Sequence, residues 1–423
     1  MQLYARFRAS SAKWAFPFAL GIPLAYYFLN GGAPPPHNFG YAATIVSHPL
    51  EMTYAFAYAT ASGLAAWESG TLKADRIWEL GSVRSRFHIA AEALTPVLSL
   101  SWLVLLTPVL IALVQTATFP TFASLLPLEM SLVVCIAHCV IGFAAGYRLP
   151  RLVAAPLMTV MTWVLVAFSA STTPFWLRHI SGQYPEYLMF GEQATLGSLV
   201  PHILFAGGIA IGLCLLWLPF RPRLPRMALS LAAGLACCAL AVSMAHGWNY
   251  NPPIEVDKAP MKCVGGNPQI CMPEATAKSL PAVQRDTLSV LATMKTFGGI
   301  KEMPHSIVDD ITTGRMSVAS TPTRWRVGLT AGEQSDDLRL RIMDAAIQFP
   351  CSSPNLVVSR EVRLWAATIT GQIGEYDRRI GEEPPFAGQG EAQREVTRIL
   401  RLPRAQQTEW YEERISSACG KGS

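Results

Sequence analysis

A chain of 423 residues with 51% hydrophobic and only 15% charged residues is too apolar for an ordinary soluble protein and long enough for more than one folding unit. Its net charge of +5 is modest and spread over loops, which excludes a nucleic-acid stripe and an acidic-substrate funnel. Apolar stretches end near residue 246 and polar, proline-containing sequence follows, so a transmembrane domain is expected over 1–246 and an extracytoplasmic domain over 247–423.

A membrane-crossing helix needs about 20 mostly apolar residues, because the hydrocarbon core is roughly 30 Å thick. Seven segments meet or approach that length, at 14–29, 52–67, 96–117, 128–146, 152–171, 199–219 and 227–245. The expected fold class is therefore an α-helical integral membrane protein with about seven transmembrane helices and a mostly helical, disulfide-linked exterior domain. Pro17, Pro23, Pro108 and Pro156 fall inside these segments and predict kinks. Positive charge sets orientation. Arg6, Arg8 and Lys13, then Lys73, Arg76, Arg84 and Arg86, then Arg148 and Arg151, then Arg221, Arg223 and Arg226 occupy alternate connections and are expected inside. The loops 31–51 and 118–127 hold no Lys or Arg, and 172–198 holds only Arg178. The pattern predicts a multi-pass plasma-membrane protein with a cytoplasmic N-terminus and an external C-terminal domain. No small-x-small site follows the first span, which is read as an uncleaved anchor rather than a signal peptide.

Within the spans, Gly142 and Gly146 make a small-xxx-small spacing, and Gly207, Gly208 and Gly212 resemble it, which fits helix packing or an oligomer face. Cys135, His138 and Cys139 share a helical face, and His138 and His202 read more simply as core histidines than as metal ligands. No charge lies at a span's midpoint, so no intramembrane proton relay is visible.

The longest loop on the basic side covers 68–87. It places Leu72, Arg76 and Ile77, Leu80 and Val83 at helical spacing, with Ser69 or Thr71 as a cap, Gly81 as a stop and Trp67 and Trp78 as interfacial anchors. A short amphipathic helix on the membrane surface is expected. It would serve either as a plain anchor or as a coupling helix for a soluble nucleotide-binding partner. An acidic residue after the second span, a basic stretch, Trp78-Glu79-Leu80, and Arg84-Ser85-Arg86 running into the third span resemble the first cytoplasmic loop of type-2 ABC transporter permeases, in particular actinobacterial variants. The segment 263–274, followed by Gly298-Gly299-Ile300 and Met303-Pro304, is similar to an exterior domain attached to such permeases. The resemblance implies the permease subunit of an ABC exporter. Its separate ATPase, carrying Mg-ATP, would bind Glu68, Leu72, Arg76, Ile77, Trp78, Leu80, Arg84 and Arg86. A homodimer or a second permease subunit would complete the assembly in the lipid bilayer. The family usually has six spans with both ends inside, and the seventh expected here departs from that plan.

The exterior segment opens with a stiff linker at 247–253 and carries helical patterns at 274–297, 336–349, 359–376 and 389–417, with Pro403 interrupting the last and a short strand near 325–329. Its four cysteines, Cys263, Cys271, Cys351 and Cys419, fall in a compartment that permits disulfides. Three connectivities are open; the turn-rich stretch between Cys263 and Cys271 favours a local bridge, leaving Cys351 for Cys419. No P-loop, His-Glu-x-x-His or Gly-x-Ser-x-Gly occurs, so the chain does not read as an enzyme and no cofactor of its own is expected. His305, Asp309 and Asp310 read as a cap and a solvated face at a helix start rather than a site. The competing reading is a membrane-anchored sensory or scaffolding protein whose exterior domain binds a ligand or partner. An enzyme of lipid or cell-wall precursors would need polar groups at an interface, and only Glu129, His179, Glu186 and Glu192 approach that.

Overall fold

The structure, a computed structural model, describes residues 2–32, 39–79, 85–184, 187–218, 222–316, 318–351, 353–381 and 389–419. It divides into two compact units, Met1–Lys258 and Ala259–Ser423.

The first unit holds α1 (Gln2–Ala9), α2 (Ala12–Leu29), α3 (Ala42–Ala74), α4 (Arg86–Gln115), α5 (Phe122–Arg148), α6 (Arg151–Ala167), α7 (Leu196–Leu215) and α8 (Arg223–Ala245). Among the described residues five helical stretches are long and apolar enough to cross a membrane: α4, α5, Arg151–Ser171, α7 and α8. The chain is an α-helical membrane protein on that basis. The other two expected spans are helical but fall outside this set. In α2 the residues Trp14, Phe18, Ile22 and Leu29 point outward, so its apolar face is presented to the surroundings. Helix α3 differs from α2 in being buried. It packs on α4, α5 and α6 and buries Thr44, Ser47, Thr53, Ser62 and Ser69 along with its alanines, so its surface is matched to protein rather than to lipid. Ser47 Oγ accepts from the backbone of Leu188, Tyr58 donates to the Gly182 carbonyl, and the Ser62 and Thr162 hydroxyls lie 3.0 Å apart. Those bonds satisfy polar groups that a lipid-facing helix would have to omit.

The span expected at 52–67 is thus the middle of a 33-residue helix that begins inside the loop expected at 31–51 and runs past Trp67 to Ala74. Its approach to α5 is set by glycine. A Cβ on Gly142 would stand 2.0 Å from the Ser62 carbonyl oxygen, and one on Gly146 would stand 2.0 Å from that of Ala66. This small-xxx-small pair is a packing face within the chain. Gly208 likewise faces Cys237 of α8, whereas Gly207 has open space around it.

The exit segment is held by the first unit. Strand β1 (Gln193–Ala194) pairs antiparallel with β2 (Ile254–Glu255), Lys258 donates to the Gly191 carbonyl at 3.0 Å, and His179 Nε2 lies 2.8 Å from the Asn249 carbonyl oxygen. The Arg178 guanidinium is 3.7 Å from the Tyr250 ring centroid, a cation–π contact in a buried setting. The lone arginine of the 172–198 loop is therefore a structural residue, and the division between units falls after Lys258 rather than at 246.

The second unit is α+β. Strands β3 (Met261–Val264), β4 (Gln269–Pro273), β5 (Ser306–Asp309) and β6 (Arg324–Val327) form one sheet in the order β3-β4-β5-β6, with β3–β4 antiparallel and the other pairings parallel. Only the last strand is foreseen by the sequence pattern. Cys263 and Cys271 face each other across the hairpin and are bonded, and Cys351 is bonded to Cys419. Helices α9 (Leu280–Thr296), α10 (Leu329–Ser335), α11 (Leu338–Ala346), α12 (Leu356–Ile369), α13 (Ile373–Gly381), α14 (Gln389–Ile399) and α15 (Arg404–Ser417) accompany the sheet. Ile270, Met272, Ile307 and Trp325 from the strands meet Val290, Met294 and Trp365 from the helices in one core. The helix expected at 336–349 is confined to α11, and the one expected at 359–376 is split between α12 and α13 by a turn through Gly371, whose φ is +72°.

Because a methyl group at Gly146 meets backbone, which cannot rotate away, Gly146→Ala should cost about 1–3 kcal/mol and lower the yield of monodisperse protein. Gly207→Ala should leave both unchanged. Thermal unfolding in detergent, followed by size exclusion, measures the pair; equal behaviour would show that the α3–α5 approach is not limiting.

Candidate functional site: a basic basin at one end of the bundle

The ends of α3, α5 and α7 and the starts of α4, α6 and α8 come together at one end of the first unit, tied by Lys73 Nζ donating to the Arg148 carbonyl and by Arg151 near Thr71 Oγ1, each at 3.4 Å. The loop expected as a coupling helix lies here, and the structure builds it differently. Glu68 and Leu72 belong to α3, Asp75–Glu79 are turns, and Arg86 opens α4. Leu80, Val83 and Arg84, with the Gly81 stop, lie outside the described residues. No separate helix is present over 68–79. The helix ends where Ile77 N–H bonds the Leu72 carbonyl and Arg76 N–H bonds that of Lys73, both at 3.1 Å. This is a Schellman ending with Arg76 in the left-handed position at φ +50°. Ser69 and Thr71 do not cap a start, because the helix never stopped: Ser69 is buried and Thr71 Oγ1 donates to the Trp67 carbonyl.

Each expected contact residue within the described stretch has a definite place. Glu68 is turned inward: its Oε1 accepts from Ser10 Oγ, Ser11 N–H and Ser11 Oγ, all at 2.7 Å. A carboxylate at the start of α2 complements the helix dipole and takes the Ser11 N–H together with two serine hydroxyls, so Glu68 joins α1, α2 and α3. Arg6 reaches Glu92 of α4 at 2.7 Å, with His88 Nε2 at 3.2 Å from the same oxygen. Leu72 and Trp78 pack on the cluster formed by Ala61, Ala65, Val97, Cys139 and Phe143. The Trp78 ring lies 5.6 Å from that of Trp217, 6.2 Å from Tyr147 and 6.4 Å from Phe143, and Phe87 lies 6.0 Å from Trp217. Asp75, Arg76 and Glu79 are exposed and Ile77 is half-buried. The turn between α3 and α4 is thus keyed by one tryptophan into α5 and the end of α7.

Around that key opens a basin of about 1000 Å³, walled by Trp78, Tyr147 and Trp217 and carrying Arg86, Arg148, Arg223 and Arg226. Arg226 Nη1 donates to the Leu218 carbonyl at 2.8 Å, while its Nε is buried without an acceptor among the described residues. In the sequence Arg148, Arg223 and Arg226 serve only to set orientation, and Trp217 is not singled out. A signal was there: Arg86-Phe87, Tyr147-Arg148 and Trp217 before Arg223 repeat an aromatic near an arginine at the same end of the bundle.

The other candidates resolve into structure. His138 stacks on Tyr58 at 5.0 Å, and His202 Nδ1 accepts from Gly182 N–H. Glu129 is exposed, Glu192 is buried and accepts from Met189 N–H at 2.8 Å, and Glu186 lies outside the described residues. In the second unit Asp309 ends β5 and its side chain caps the short 3-10 helix Asp310–Thr313, so the expected cap is present but opens a 3-10 helix rather than an α-helix, and Asp309 is buried rather than on a solvated face. Its Oδ1 accepts from Leu329 and Ile311 N–H at 3.1 and 3.4 Å, and its Oδ2 from Thr330 N–H at 2.9 Å and from the Thr330 hydroxyl. It is fully buried, and burial raises its carboxyl to about 6 against the pull of those donors. It is a fastener between strand and helix.

No protein-family model, no curated protein and no solved structure matches the chain.

A carboxyl raised in the folded state binds its proton more tightly there than in the unfolded chain, so its stabilising contribution is present below about pH 4 and is lost as pH rises through about 6. The stability of residues 259–423 relative to the Asp309→Asn variant should therefore fall by on the order of 2–3 kcal/mol between pH 4 and 7. Urea unfolding of both proteins across that range measures it; a difference that stays constant would contradict the assignment.

Proposed function

We propose that this chain is the membrane subunit of an ABC-type transporter, an exporter driven by a separate ATPase that hydrolyses Mg-ATP. In this reading α2 and α3 cross the membrane together with the five more apolar stretches, and the basic end faces the cytoplasm under the positive-inside rule. The odd number of crossings then leaves the disulfide-bonded second unit outside, where it would receive, gate or shield substrate. The observation that carries the proposal is the keyed turn. Asp75, Arg76, Ile77 and Glu79 offer charge and one apolar contact to a soluble partner, while Trp78, one residue on from Ile77, sits against α5 and the end of α7. A partner that shifts the turn shifts the tryptophan, and a packed aromatic cluster answers by rearranging rather than by yielding gradually. Binding face and lever are adjacent residues, so their effects can be separated. The alternative, a membrane-anchored sensory or scaffolding protein, draws on the second unit having its own core and two disulfides.

Ile77→Asp would desolvate a carboxylate against the partner and should cost about 2–5 kcal/mol of affinity, abolishing ATPase co-purification from detergent while membrane insertion stays normal. Trp78→Ala should retain the ATPase but lose most of the substrate-stimulated hydrolysis. Failure of the unaltered chain to bring down any ATPase would transfer the argument to the sensory or scaffolding reading.

A further inference from the structure

The basin does not end at its aromatic wall. Helices α4 and α7 both pack on α5, and between them the face of α5 is left open as two apolar hollows of about 430 and 580 Å³. The first runs along Leu94 and Leu98 of α4 and Val140 and Phe143 of α5; the second continues along Ile203 and Ile211 of α7. Phe87 borders both hollows and the basin, and Trp217 borders the first hollow and the basin, so the three adjoin one another at these two rings, and together they are called the cleft. One end is hydrocarbon in character over the depth of the transmembrane helices. The other end carries four guanidinium groups among the described residues.

Among the described residues the charge there is uncompensated. No aspartate or glutamate lines the basin, and none of Arg86, Arg148, Arg223 and Arg226 has a carboxylate within ion-pair distance among the described residues. Two helices also begin at it, α4 at Arg86, where Ser85 caps the His88 N–H, and α8 at Arg223, adding the partial positive charge of their N-terminal ends. Four like charges around one hollow, with the Arg226 Nε buried and lacking an acceptor among the described residues, form an arrangement that an anion completes. A free anion would leave the apolar arm exposed to solvent, and a neutral lipid would leave the arginines unmatched. Only an amphiphile with both features fills the cleft.

We propose that the cleft binds one anionic phospholipid, its phosphate held by Arg86, Arg148, Arg223 and Arg226 and its acyl chains lying in the groove between α4 and α7. Arginine suits this role, because its planar fork meets two phosphate oxygens at once and its stem covers apolar surface. Basic pockets between transmembrane helices are a recurrent form of headgroup recognition. The site requires nothing of an ATPase. It belongs to the membrane unit alone and is testable on the purified chain whatever drives or does not drive transport.

The test is native mass spectrometry of the full chain in detergent, titrated separately with phosphatidylglycerol, phosphatidylcholine and inorganic phosphate. Phosphatidylglycerol should saturate a first site at least about ten-fold more tightly than phosphatidylcholine. Inorganic phosphate at millimolar concentration should not displace it. Arg223→Gln combined with Arg226→Gln should weaken that site about ten-fold or more, and Arg151→Gln should not, since Arg151 lies at the same end but over the Trp67 ring and outside the basin. Ala91→Trp, an exposed groove position, should weaken phosphatidylglycerol without changing the fold, as judged by an unaltered melting temperature. Equal binding of the two lipids, displacement by phosphate alone, or indifference to the arginine pair would each overturn the proposal.

Discussion

The close approach of α3 to its neighbours fixes the rest of the membrane unit. Gly142 and Gly146 of α5 lie against the backbone of α3 with no room for a Cβ. On the other side, a Cβ on Gly63 or Gly70 of α3 would come within 3 Å of Thr159 or Arg151 of α6. Lipid supplies no hydrophobic drive for helices to associate, so such an approach is held by dispersion and by the hydrogen bonds it allows. Those bonds are present where α3 is polar: Ser47 to Leu188, Tyr58 to Gly182, Ser62 to Thr162. A helix clamped on three sides has little freedom to slide. Its overrun past Trp67 therefore sets where the turn at 75–79 lies, and with it the depth of Trp78.

From that clamp follows the division of labour at the basic end. Glu68, on the part of α3 still inside the clamp, is occupied in closing the start of α2, whereas Asp75, Arg76 and Glu79, beyond it, remain exposed. The same geometry spreads α4 and α7 across α5. Because α3 occupies the far side of α5, the near side is left with two flanking helices and a gap between them, and the gap is the apolar groove. Trp78, the lever of the proposed function, and Trp217 also wall the basin, so under that proposal occupancy of one would bear on the position of the other. Under the proposed function, coupling of this kind would need a bistable contact rather than distance alone, and the ring cluster is the place where it would lie.

How much of this was readable depended on which surface each residue faces. The apolar stretches of α4 to α8 announce themselves because lipid demands a composition, and their loops because charge placement does. The limits of α3 do not, since a helix buried among helices is free to carry serine and threonine and resembles a loop at either end. The loop at 68–79 misled for a specific reason: Leu72 and Ile77 do repeat at helical spacing, yet Arg76 takes the left-handed ending usually given to glycine, and nothing in the residue type signals it. In the second unit the strands β3, β4 and β5 are four or five residues long, and β4 is buried almost throughout, so no alternation marks it. The disulfide pairing was legible as a preference because the hairpin register that brings Cys263 opposite Cys271 is implied by the turn between them.

The basin shows why residues sorted by one principle can serve a second. In sequence, Arg148, Arg223 and Arg226 fit the expectation that inside-facing loops collect positive charge; that rule is blind to where the arginines converge in space. Convergence arises only when α5 ends and α8 begins beside the same turn, with α4 opening between them. Like charges gathered at one hollow repel one another, and water at the membrane surface screens that repulsion far better than the bilayer edge does. A chain selected for orientation alone would scatter these groups among lipid headgroups. Their concentration around aromatic walls, above an apolar groove and with no carboxylate among the described lining residues, is what argues for a binding feature over a purely topological one.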